Sequence, residues 1–178
     1  DVISVIGNDE NAIKLKDLLI SINVDTKYLI TEDNRITSKK SRVIASQQQV
    51  VRYDRESIDE ISKQSQKLIL EIIKRIINNY DIVLISDYGK GILSTSLTQS
   101  IINIASQNNK KVLIDPKGLD YSKYKGAYLL TPNIKEASDA TDITIIDDET
   151  LLQAITELKS TCELEVSLVT LSEKGIAI

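Results

Sequence analysis

Apolar residues along this chain follow two rhythms, short unbroken runs and stripes at helical spacing, and the two alternate over most of its length. Residues 2–6 form a short run, Gly7 and Asn8 supply a turn and a cap, and Ala12, Ile13, Leu15, Leu18, Leu19 and Ile22 then recur as a helix would place them. This is a β-α unit. Between Thr26 and Asp54 the rhythm breaks into extended pieces at 28–30, 42–45 and 50–53, which predicts hairpin-like β-structure set apart from the helical layers. The part from about Arg42 to Tyr53, with one wet face, suits a lid or an oligomer contact. Ser57 opens a long predicted helix with the stripe Ile58, Ile61, Leu68, Ile72 and Ile76 and a flanking row of Ile69, Ile73 and Ile77. Beyond it, strands at 82–85, 112–115, 127–130 and 166–171 alternate with helices at 94–106, from Pro132, and at 148–161. Strands separated in this way imply parallel pairing with right-handed crossovers. The expected fold is a doubly wound, mainly parallel α/β sheet with a small β lid segment.

Composition narrows the function classes. With 178 residues, 42% of them hydrophobic, and no Pro/Gly/Ser linker, the chain is expected to form one domain or a large piece of one. Lys and Arg number 22 against 26 Asp and Glu, and a net charge of −4 gives no electrostatic reason to expect nucleic acid. Any bound anion has to be held locally. The single cysteine, Cys162, excludes an intrachain disulfide and a multi-cysteine zinc site, and the lack of His removes His-based triads and the commonest metal ligand. Neither a membrane-length apolar run nor a basic-then-apolar leader is seen, so a cytoplasmic protein is expected. The chain has no Met, enters a strand almost at once and stops inside the apolar stretch 176–178, which reads as an internal fragment.

Chemistry concentrates where predicted strands end. The run 82–85 leads into Ser86-Asp87-Tyr88-Gly89-Lys90-Gly91, residues 112–114 lead into Asp115-Pro116-Lys117-Gly118, and residues 129–130 lead into Thr131-Pro132-Asn133-Ile134-Lys135-Glu136. Open α/β sheets bind ligands outside the carboxyl ends of their strands, so acid, base and amide groups at three successive exits suggest one site for a phosphorylated ligand. Each exit also has a plainer explanation. Asp87 and Lys90 fit a strand-to-helix turn with a solvated ion pair, Lys117 fits a surface lysine, and residues 169–175 fit a β-hairpin turn. At the third exit a capping arrangement takes Thr131 as N-cap, Pro132 as the first helical residue and Glu136 in the first turns, and it leaves Asn133 without a capping duty. Asn133 and Glu136, three apart, share a helical face from which both can act on one magnesium-bound water or phosphate. P-loop and dinucleotide fingerprints are absent.

Taken in order, these segments resemble the ribokinase (pfkB) superfamily of sugar kinases, and within it the branch that phosphorylates D-glycero-β-D-manno-heptose 7-phosphate. Lys40-Ser41-Arg42-Val43-Ile44-Ala45 and Gln48-Gln49-Val50-Val51-Arg52-Tyr53-Asp54 resemble that branch's T-K-T-R-V-I-A and Q-Q-V-L-R-x-D, with Ser41 for the usual Thr and Gln47 where Asn is common. S-D-Y-G-K-G and D-P-K-G match in full, and residues 126–136 resemble G-A-x-L-L-T-P-N-x-x-E. Asn-x-x-Glu and Thr170-x-Ser172-x-x-Gly175 are marks of the whole superfamily.

The resemblance implies a ribokinase-like fold truncated at both ends, with residues 1–178 as a partial carbohydrate kinase domain. It implies an ATP-dependent, Mg2+-dependent sugar kinase acting on O-1 of heptose 7-phosphate, within ADP-heptose and lipopolysaccharide core synthesis. ATP binding is carried over to Asn133, Ile134, Lys135 and Glu136, and to Lys117, Thr170, Ser172 and Gly175, with Glu136 toward the metal. Arg42, Asp87 and Lys90 become candidates for the sugar phosphate. A homodimeric intact protein without nucleic-acid or membrane partners is expected. The family's catalytic base, the Asp of a Gly-Ala-Gly-Asp motif, and its Gly-Gly-x-x-Asn substrate segment do not occur in these residues. No catalytic residue is therefore expected within them, and the piece by itself is expected to be inactive. Two other readings stay open: another sugar or nucleoside kinase of the superfamily, or a non-catalytic α/β ligand-binding module.

Overall fold

A computed structural model describes residues 1–178. They fall into two units, one of Asp1–Ile72 with Lys90–Ile92, the other of Ile73–Gly89 with Leu93–Ile178. In the first, strand β1 (Ser4–Gly7) pairs in parallel with β2 (Leu29–Glu32), and helix α1 (Glu10–Ser21) connects them. The predicted cap moves by one residue. Asp9 is the N-cap, its Oδ1 accepting the Ala12 N–H at 2.9 Å, while Asn8 donates to Asp33 instead. Asp9 Oδ2 also accepts the Thr37 N–H, and the Thr37 hydroxyl accepts the Gly7 N–H, each at 2.9 Å. The α1 stripe is less buried than its spacing predicts: Ala12 is buried, Leu15 and Leu19 are half-buried, and Ile13, Leu18 and Ile22 are exposed. Two strands, about 4.8 Å apart, can cover only a narrow row of helix side chains.

Strands β3 (Lys39–Ala45) and β4 (Gln48–Arg55) form the expected antiparallel hairpin, with a bulge between Val43 and Ile44. Its turn residues Ser46 and Gln47 have φ of 48° and 67°. That left-handed conformation suits Asn better than Gln. The extended piece at 28–30 belongs to β2 and not to this hairpin.

Helix α2 covers Lys63–Ile76 and does not begin at Ser57. Residues 57–62 are held outside helical geometry by distant partners. The Ser57 hydroxyl accepts the Ile36 N–H (2.9 Å), the Asp59 carbonyl accepts from Arg35 (3.1 Å), the Ile61 N–H donates to Gly91 (3.0 Å), and the Ser62 hydroxyl accepts the Ser65 N–H (3.1 Å) ahead of the helix. Ile58 is consequently exposed. The buried helix face is Ile69, Ile73 and Ile76, continued by Ile77, and not the stripe through Leu68 and Ile72. Gly91 closes this arrangement: its φ is +75°, and an added Cβ would lie 1.9 Å from the Asp59 carbonyl oxygen. Gly91→Ala should therefore destabilise by more than the roughly 1–3 kcal/mol of a strained backbone alone, as measured by denaturant unfolding.

The second unit contains a four-stranded parallel sheet in the order β5 (Ile82–Ser86), β6 (Lys111–Asp115), β7 (Leu129–Leu130), β8 (Val166–Ser167). Helix α3 (Thr95–Gln107), capped by Ser94, joins β5 to β6, and helices α4 (Ile134–Thr141) and α5 (Asp148–Thr161) join β7 to β8. Its core is Ile85, Val112, Ile114 and Leu130 from the sheet, Leu97, Ile101 and Ala105 from α3, and Ala154 and Leu158 from α5. Each large aliphatic buried here contributes about 1.5–3 kcal/mol. The predicted strand 166–171 is two pieces. Beyond β8 the chain stays alongside the β7 exit through a parallel bridge from Thr170 to Asn133, and β9 (Val169–Thr170) pairs antiparallel with β10 (Ile176–Ala177). No helix is long and apolar enough to cross a membrane.

Candidate functional site

Because β5, β6 and β7 run parallel, their exits share one edge of the sheet, and Asp87, Lys117 and Asn133 follow them directly. Hydrogen bonds continue the ladder past the strand ends: the Asp87 N–H donates to the Asp115 carbonyl and the Thr131 N–H to the Ile114 carbonyl, both at 3.0 Å. Across this edge the Lys117 ammonium lies 2.7 Å from Glu136 Oε1. Glu136 Oε2 accepts the Asn133 N–H (3.1 Å), and Asn133 Oδ1 accepts the Glu136 N–H (2.9 Å).

This reciprocal pair is a capping box, and it corrects the capping arrangement expected from the sequence: Asn133, and not Thr131, is the N-cap of α4. Pro132 lies before the helix and is not its first residue. Asn133 has extended backbone, φ −80° and ψ 173°, as an N-cap requires, so helical geometry starts only at Ile134. Asn133→Ala should lower stability by about 0.5–2 kcal/mol and Asn133→Ser by much less, a contrast that thermal denaturation will read.

The edge is rich in negative charge. Burial, then the carboxylates of Glu136 and Asp87, raise the Asp115 carboxyl above its ordinary range, against the pull of Lys117. The hydrogen bond and charge of Glu136 in turn hold the Lys117 ammonium above its usual value. Thr170 adjoins the third exit, since its N–H donates to the Pro132 carbonyl at 2.9 Å and it bridges to Asn133. Ser172 and Gly175 lie in the β9–β10 turn, where Gly175 has φ +90° with open space around it, so conformation and not crowding favours glycine. Lys135 pairs along α4 with Asp139 at 2.9 Å and is highly exposed.

Two residues that sequence reasoning missed complete this edge. Asp87 is 5% exposed; its Oδ1 accepts the Gly89 N–H (2.7 Å), and its Oδ2 accepts from Lys123 Nζ (2.6 Å) and the Tyr124 hydroxyl (2.8 Å). Both carboxylate oxygens are thus engaged by the chain itself. Tyr124 gave no signal because the chain has 7 Tyr and no Phe or Trp, so a buried aromatic is Tyr whether or not its hydroxyl is used.

The other sequence candidates lie in the first unit. Lys90 pairs with Glu56 at 2.5 Å, and its carbonyl accepts from Arg35. Arg42 is exposed and stands opposite Arg52, which pairs with Asp54 at 3.1 Å. Strand alternation puts Lys39, Ser41, Tyr53 and Arg55 on the opposite hairpin face from Arg42. Those four, with Asp9, Glu10, Asn11 and Lys14, line a groove of about 580 Å³. Lys39 stands directly across from Arg55, two cations side by side.

The profile of the pfkB family carbohydrate kinases matches residues 1–178. The chain belongs to this family. It is 61% identical over 178 residues to "Bifunctional protein HldE" of Aliarcobacter butzleri, covering 100% of this chain and 37% of that protein. It is 52% identical over 177 residues to the protein of the same name from Sulfurimonas denitrificans, covering 99% of this chain and again 37% of the relative. The chain thus spans little more than a third of the relatives it matches. Among solved structures, Arabidopsis thaliana ribokinase complexed with ribose and ATP superposes with a TM-score of 0.73 at 18% identity, covering 98% of this chain and 56% of that one. That likeness establishes a shared ribokinase-like fold.

Proposed function

We propose that the protein carrying this chain transfers the γ-phosphoryl of ATP to O-1 of D-glycero-β-D-manno-heptose 7-phosphate, giving the 1,7-bisphosphate for ADP-heptose synthesis. The observation that supports it most is geometric: in a pfkB-family chain, S-D-Y-G-K-G, D-P-K-G and N-x-x-E emerge on one sheet edge, with Lys117 and Glu136 in contact. The nucleotide's phosphates would meet Lys117 and the N-terminus of α4, with Thr170, Ser172 and Gly175 alongside. Asn133 holds the helix start, and Ile134 and Lys135 contribute backbone to its first turn. For the sugar phosphate, the first unit offers Arg42 and Lys90 and the cations of the groove. Asp87, with both oxygens occupied, serves the site as an anchor more readily than as a sugar ligand.

Magnesium fits this edge in a particular way. No group of three acidic, His or Cys side chains is placed to cage an ion. Three carboxylates, Asp115, Glu136 and Asp87, nevertheless face two lysines, Lys117 and Lys123, and this excess of negative charge favours an added cation. Glu136 and Asp115 would hold the ion together with water and phosphate oxygens, as magnesium usually requires. Bound there, it neutralises charge on the phosphates. The chain's own share is positioning: Lys117 orients the phosphate, and the capping box fixes Glu136. The sugar hydroxyl's proton is assigned to the Gly-Ala-Gly-Asp carboxylate of the family, which these residues do not include. The exposed hairpin, with Val43, Ile44, Val50 and Tyr53 open to solvent, is our candidate for the contact of a cytoplasmic homodimer.

Phosphorus NMR of the intact protein with ATP, magnesium and heptose 7-phosphate tests this reading. An anomeric phosphate signal should grow in step with ADP. ADP release that ignores the heptose, or turnover only with a different sugar phosphate, would remove the assignment.

A further inference from the structure

The turn that presents Lys117 is anchored by the buried Pro116 on one side and is open at Lys117 and Gly118. The Lys117 side chain is 52% exposed, and a Cβ built on Gly118 would meet no atom within 4 Å. One buried hydroxyl, seven residues further along the chain, ties its backbone to the neighbouring strand exit. Tyr124 Oη accepts the Lys117 N–H at 2.9 Å and lies 3.1 Å from the Lys117 carbonyl oxygen. A tyrosine hydroxyl has one proton to give, and the 2.8 Å contact to charged Asp87 Oδ2 is the shorter and stronger acceptor. Tyr124 therefore links the β5 exit to the β6 exit, donating to one and accepting from the other.

The link is rigid at both ends. The Tyr124 ring is fully buried and packs edge-on against Tyr121, with centroids 5.5 Å apart. Asp87 is pinned by the Gly89 N–H and by Lys123, whose ammonium also lies 4.9 Å from the Tyr124 ring centroid. We propose that Tyr124 and Lys123, acting through Asp87, are positioning residues that fix the Lys117 turn beside Glu136 so that its ammonium is placed for nucleotide phosphate. This rests on the nucleotide reading of Lys117 given above.

The test is made on the intact protein with calorimetric ATP–magnesium binding and separate KM values for ATP and sugar phosphate. Tyr124→Phe keeps the ring and deletes the hydroxyl. It should weaken ATP binding about three- to tenfold, the scale of one lost hydrogen bond, and leave the sugar phosphate KM unchanged. Added to Lys117→Met, Tyr124→Phe should cause no further loss, because the two act as one unit. In the unmodified protein the Lys117 amide should be protected from hydrogen exchange despite its exposed turn. ATP binding lost in Lys117→Met but kept in Tyr124→Phe, full additivity of the two, or an unprotected Lys117 amide overturns this inference alone. Unchanged binding in Lys117→Met overturns the nucleotide reading and this inference with it.

Discussion

Asp87→Ala is expected to lower stability by about 3–5 kcal/mol, the scale for removing one partner of a buried ion pair. Lys123, its side chain only 16% exposed, would lose the carboxylate it pairs with, while the Tyr124 hydroxyl and the Gly89 N–H would each lose an acceptor. Leaving such groups unsatisfied is what makes the loss large, since the intact pair itself contributes much less. Asp87→Asn keeps acceptor capacity and should lose less than Asp87→Ala. Denaturant unfolding with the slope monitored will read both. A loss below about 1 kcal/mol in Asp87→Ala would mean that Lys123 swings out to water, where an ion pair is worth little.

Lys117→Met should have the opposite profile, a large effect on turnover and a small one on folding. Its pair with Glu136 is half-exposed on the lysine side, and such pairs are worth at most about 1 kcal/mol. Loss of a charged contact to the transferring phosphoryl, by contrast, can reduce the rate by about 10² to 10³. The measurement is kcat and kcat/KM for ATP in the intact protein, beside a melting curve. Kinetics unchanged with folding intact would assign the Lys117–Glu136 pair to structure only.

The parallel sheet and its exits were legible in the sequence because apolar runs ending in Asp, Lys and Asn announce themselves locally, and parallel strands then share an edge. What stayed hidden depends on distant partners. Residues 57–62 look helical until Ile36, Arg35 and Gly91 are seen to occupy their backbone groups. Burial on α1 and α2 was misjudged for a related reason, since periodicity marks a stripe but not which row of it meets a sheet. The Asn133 cap was missed by two residues because Thr131-Pro132 offers a competing start, and only backbone angles decide between them. Strand 166–171 reads as one apolar run, and nothing within it reveals that Val169 and Thr170 pair with Ile176 and Ala177. Lys123 and Tyr124 lay beyond reach because the partner they share, Asp87, is 36 and 37 residues away from them in sequence.

The central claim is that nucleotide phosphates lie at the carboxyl edge of the β5–β8 sheet. A crystal structure of the intact protein with a non-hydrolysable ATP analogue and magnesium tests it most directly. The account predicts phosphate oxygens within hydrogen-bond distance of the Lys117 ammonium, with the metal on the side of Glu136 and the nucleotide running past Thr170. Phosphates bound away from this edge, with Lys117 still paired to Glu136, would contradict it.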